Sequence, residues 1–135
     1  MTNKILKNLI EEFIDTTRQD IHAYDDAGHR NKELFHMRGK ALLKFIAKDL
    51  DYAPGKSDIR SNKSGVAGSG EITLHSEDLY IQFSQSCGGS KMEIMYRTCK
   101  GRNDYRGGTN NWLSFIDLRD YQKVIQKFCS LRLGS

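Results

Sequence analysis

Only three cysteines occur in the chain, Cys87, Cys99 and Cys129, and no two of them form a Cys-x-x-Cys pair. The spacing that a zinc knuckle or a thioredoxin-type redox site requires is therefore missing. An odd number of widely separated thiols reads as the reduced cysteines of a cytosolic protein. No apolar run approaches the roughly 20 residues that a membrane-spanning helix needs. The first residues mix Lys4 and Lys7 with Glu11, Glu12 and Asp15, and their apolar neighbours are spaced along one helical face. A signal peptide would mass them in one block. The chain is accordingly expected to be untargeted and cytoplasmic, without membrane contact.

Two further absences narrow the chemistry. The glycine-rich stretch Ser64–Gly70 is not followed by Gly-Lys-Ser/Thr and leads into a strand pattern. It reads as a bend or bulge, because a phosphate cradle opens onto a helix N-terminus. His22, His29 and His36 recur at intervals of seven, but no His-x-x-x-His pair stands among them. They read as surface histidines near helix ends, and neither a metal nor another cofactor is expected. Cys87, in the turn Ser84–Gly89, could expose a thiol near His75. A nucleophile also needs an oriented base, which the pattern does not supply.

What is present suffices for one domain. At 135 residues, with 38% hydrophobic and 28% charged side chains, the chain can bury a core without disulfide or metal staples. The net charge of +4 is unevenly placed. Residues 1–50 carry nine Lys/Arg against eight Asp/Glu, residues 51–90 three against five, and residues 91–135 nine against four. An anionic partner for the last third follows from that excess.

Hydrophobic periodicity predicts the elements. Ile5, Leu6, Leu9, Ile10, Phe13, Ile14 and Ile21 recur at helical spacing, and Asp25–Gly28 reads as a stop and turn. A second helix is predicted from about Asn31 to Asp49, where Gly39 is either a tolerated cost or a point of close packing. The only proline, Pro54, closes this half. The period then changes to two: Val66–His75, Leu79–Ser84 and Met92–Arg97 alternate and are joined by short turns, which predicts an antiparallel meander. A further short strand near Asp58–Ser61 is allowed but has no support in the pattern. Residues 100–111 lack periodicity and read as a loop, and 117–131 as a last helix. The class is α+β, with two N-terminal helices, a meander of three to five strands, and a C-terminal helix on one face of the sheet.

The segment 97–112 holds the most chemistry. Arg97, Lys100, Arg102 and Arg106 stand against one acid, Asp104, with Tyr105 and Trp112 among them. Phosphates take cations, bases stack on aromatic rings, and amides read edges, so the mixture fits nucleic acid. Trp112 taken alone reads as a core side chain beside Leu113 and Phe115. The leading expectation is a non-enzymatic module that binds an anionic partner, nucleic acid foremost, through Arg97, Lys100, Arg102, Tyr105, Arg106 and Trp112. One alternative is a protein-binding inhibitor or adaptor, of the kind carried by phage or mobile elements, that docks on an acidic protein surface. Another is a small enzyme that uses the Cys87 turn.

Overall fold

A computed structural model describes residues 4–21, 25–64, 68–85, 92–101, 104 and 107–134. The elements run α1 (Lys4–Thr17), α2 (Asp26–Asp49), β1 (Ser57–Asn62), β2 (Glu71–Ser76), β3 (Leu79–Ser84), β4 (Ile94–Thr98) and β5 (Asn111–Leu113). A 3-10 turn, Phe115–Asp120, then leads into α3 (Tyr121–Gly134). The five strands are hydrogen-bonded in chain order, each antiparallel to the next. The architecture is α+β, as the periodicity predicts. No helix among the described residues is long and apolar enough to cross a membrane.

Both N-terminal helix boundaries differ from the periodic pattern, and local hydrogen bonds explain why. α1 stops at Thr17, short of Ile21. The Thr16 hydroxyl donates back to Glu12 O at 2.8 Å and that of Thr17 to Ile14 O at 2.6 Å. Arg18 N and Gln19 N then close tighter turns on Asp15 O and Thr16 O, so Ile21 is buried from beyond the helix. α2 begins at Asp26, five residues before the predicted start. Asp25–Gly28 opens this helix, because the Asp25 carboxylate accepts the Gly28 N–H at 2.7 Å and satisfies a donor that the first turn leaves unpaired. The far end closes on Asp51, which adopts a left-handed φ of 67°, three residues before Pro54.

Two strands fall where the pattern is silent. β1 offers only Ile59 as an apolar residue and exists by pairing with β2, Ile59 opposite Leu74. β5 is three residues long and pairs Trp112 with Met95 at the end of the predicted loop. β2 starts at Glu71, after Gly70 turns the chain at a φ of 73°.

All three helices lie on one face of the sheet. Phe13 of α1 stacks on Phe35 of α2 at 5.4 Å and meets Phe83 of β3 at 5.5 Å and Phe115 of the 3-10 turn at 5.0 Å. Gly39 lets α2 approach β2. A Cβ there would collide with Ile72 Cδ1 and come within 3.2 Å of Phe13, so the glycine marks close packing. α3 covers β4 through Phe128 against Tyr96 at 5.0 Å. Tyr121 donates to Asp49 at 2.6 Å, and Arg132 bonds Asp78 at 3.0 Å and Leu50 O at 2.6 Å. Tyr52 and Ser76 donate to the same Asp78 carboxylate.

His36 joins α2 to the sheet edge. One ring nitrogen, Nε2, lies 2.7 Å from Ser69 O and the other, Nδ1, 2.6 Å from Ser61 Oγ. A carbonyl only accepts, so Nε2 carries the proton and Nδ1 accepts from the Ser61 hydroxyl. Burial holds the His36 pKa below its ordinary value.

Two outcomes follow. Phe13→Ala should cost about 3–5 kcal/mol in urea unfolding, because three rings lose a common contact. His36 contributes stability that is complete above about pH 6.5, its unfolded pKa, and is lost as pH falls toward its lower folded value. The pH dependence of urea unfolding below that point should therefore be shallower in His36→Gln than in the wild type.

Candidate nucleic-acid interface on the open sheet face

Strand alternation assigns the second face of the sheet. Core residues such as Ile72, Ile81 and Ile94 alternate with residues that point away from the helices. Register sets the latter in cross-strand rows. One row is Asp58, His75, Tyr80 and Arg97; the next is Arg60, Thr73, Gln82, Met95 and Trp112.

The first row is roofed by the segment after β4. The Arg97 guanidinium sits 4.7 Å from the centre of the Tyr80 ring, and the His75 ring stands edge-on to Tyr80 at 5.1 Å. Both His75 and Arg97 are buried, at 1% and 7% exposure. Burial lowers the pKa of His75, while backbone hydrogen bonds with Gly101 and Asp104 oppose that shift. His75 is thus favoured as a neutral ring under the loop.

The roof is held by its own backbone. The Asp104 carboxylate accepts from Lys100 N at 2.9 Å and Gly107 N at 3.2 Å, while Asp104 N donates to Gly101 O at 3.0 Å. Gly108 N reaches Thr98 O at 2.9 Å. Gly107 has a φ of 47°, and a Cβ there would run into Thr98 O and lie 3.0 Å from Arg97 Nη1. Only glycine permits so close an approach in that conformation. Asp104, the lone acid of a basic segment, is therefore the group around which the loop closes.

The six residues singled out in the sequence have different positions. Arg97 packs inward beneath the loop, with its charge over Tyr80. Lys100 is exposed at the start of the loop. Arg102, Tyr105 and Arg106 lie outside the described residues, as do Cys87 and His22. Trp112 corrects its expected place in the core: it is 40% exposed. In β5 the side chains alternate, so Leu113 turns inward and Trp112 emerges beside Met95 on the open face. Of the other histidines, His29 is exposed on α2 and His36 is bonded to Ser61 and Ser69. Cys99 is buried and donates to Ser76 O at 3.2 Å, and burial raises its pKa, which disfavours a reactive thiolate.

Sequence reasoning missed that Arg60, Thr73 and Gln82 fall in one cross-strand row that ends at Met95 and Trp112. The alternation around Thr73 and Gln82 was visible, but β1, which holds Arg60, and the register that aligns the three were not. Beside this row a cleft of about 200 Å³ is lined by Arg60, Asn62, Glu71, Thr73, His75 and Tyr80.

The geometry defines an α+β domain with a helix-covered face and a second face that carries an exposed tryptophan. Comparison with protein-family models, curated proteins and solved structures returns no match for this chain. Its chemistry must be derived from these side chains.

Asp104→Ala should release the loop while the helix-covered core stays folded. Amide hydrogen exchange at Lys100 and Gly107 should accelerate severalfold more than at Ile81 or Ile94. Equal acceleration throughout would mean that Asp104 supports the whole domain.

Proposed function

We propose that the chain is a non-enzymatic binding module for an anionic partner, nucleic acid foremost, engaged through the segment 97–112 and the sheet row that ends at Trp112. One observation carries the reading: the single tryptophan of the chain projects from the face that no helix covers. An exposed indole beside Met95, at the edge of a row that continues to Gln82, offers a stacking surface. Single-stranded nucleic acid is bound by such a combination of aromatic platform and cations. Lys100 supplies an exposed cation from the adjoining loop. Arg97, by contrast, is a positioning residue in this reading, since its guanidinium supports the loop from beneath.

Because Trp112 is the sole tryptophan, its fluorescence reports on the site directly. Titration with a single-stranded oligonucleotide should quench it, and the affinity should fall steeply between low and moderate salt. Trp112→Ala, followed by labelled-oligonucleotide anisotropy, should lose about 1–3 kcal/mol of binding. Lys100→Ala should reduce the salt slope by about one unit. Absence of binding to single- or double-stranded DNA or RNA at low salt would overturn the nucleic-acid reading.

A further inference from the structure

β1 is an edge strand. It pairs with β2 on one side, and no strand among the described residues pairs with the other. In an antiparallel pair alternate residues exchange both backbone bonds with the partner. The remaining residues of β1 therefore turn N–H and C=O groups outward, ready to accept another strand. Ser57–Asn62 spans about 20 Å of such edge, at roughly 3.4 Å per residue.

Where this edge ends, on the helix side, a groove of about 810 Å³ lies between α2 and the residues Ser61 and Lys63. Its floor is apolar: Leu34 lines it half-buried, and Met37 is 60% exposed. Its rim is cationic. Arg30, Lys40 and Lys44 project from α2 and Lys63 from the end of β1. The one carboxylate in the lining, Glu33, is bonded by Lys63 at 2.7 Å. No Phe, Tyr or Trp lines the groove, so it lacks the stacking platform a nucleic acid would use.

We infer that this groove is a second binding site, one that takes an extended acidic peptide as an additional strand on β1. Main-chain bonds to the open edge supply the pairing, and alternate side chains divide between the groove and solvent. Apolar residues of the peptide lie over Leu34 and Met37, and its carboxylates face Arg30, Lys40 and Lys44. His36, bonded to Ser61, keeps α2 at the spacing that leaves the groove open. The site lies at the β1 edge, whereas Trp112 stands on β5 at the other edge of the sheet, so the two can fail independently.

The probe is a fluorescein-labelled eight-residue synthetic peptide alternating Val or Ile with Glu or Asp, followed by anisotropy against the full chain. Binding is expected to weaken about tenfold in Lys40→Glu/Lys44→Glu, and also in Met37→Glu, with no change in Trp112→Ala. Met37, Lys40 and Lys44 are all solvent-exposed, and circular dichroism checks that the variants fold. A peptide N-methylated at alternate residues should lose binding when the methyls block the edge-facing amides and keep it when they are shifted by one residue. Equal binding of both N-methylated peptides would overturn strand addition. Equal affinity for a Lys-substituted peptide would overturn charge recognition. Displacement of the peptide by a single-stranded oligonucleotide that does not quench Trp112 would make the groove a nucleic-acid site and overturn the proposal.

Discussion

The ring of Phe13 is the point on which the helices and the sheet are assembled. It is fully buried and touches three other phenylalanine rings, from α2, β3 and the 3-10 turn. Phe35 and Phe83 also meet Phe115, at 6.0 and 5.8 Å. Tilted and edge-on aromatic contacts add to the burial of large apolar area. Because α1 is anchored there, α2 can lie flat on β2, and Gly39 removes the side chain that would hold them apart.

That arrangement makes the sheet asymmetric. One face is covered by three helices, and the cluster of Tyr52, Ser76, Asp78 and Arg132 ties α3 and the chain after α2 to the β2–β3 turn. The guanidinium of Arg132 also lies 4.2 Å over the Tyr52 ring. On the other face, among the described residues, the segment after β4 covers the row of His75, Tyr80 and Arg97. Beyond it, Trp112 and Arg60 meet solvent. The loop is thus part of the fold at its base and available for contact at its edge.

Charge serves two purposes along this chain. Arg97 and Asp104 lie in a segment whose basic excess suggests a partner, yet Arg97 supports the loop from below and Asp104 gathers its backbone N–H groups. A guanidinium over an aromatic ring keeps part of its favourable electrostatics when water is removed. The cations of α2 have the opposite character. Arg30, Lys40 and Lys44 belong to a helix with six Lys/Arg against three Asp/Glu, an excess hidden when residues 1–50 are summed. They border one groove because α2 lies beside the edge strand. Local excess in the sequence and local excess on the surface are different quantities.

The sequence by itself determined the class of fold and most of its elements. The spacing of Leu6, Ile10, Phe13 and Ile14 demands a helix with one buried face, and the alternation through Ile72, Leu74, Ile81 and Phe83 demands a sheet, because each period is a property of the backbone. It also located the dense chemistry of residues 97–112, though not how that chemistry is divided. Elements with little pattern of their own were decided by tertiary structure. β1, with Ile59 alone, and the three residues of β5 exist through pairing with their neighbours. Trp112 looked like a core residue beside Leu113 and Phe115 until strand pairing set its parity and turned it outward. Register, packing depth and the meeting of a helix with a sheet edge bring together residues far apart in the chain. No local sequence window contains that information.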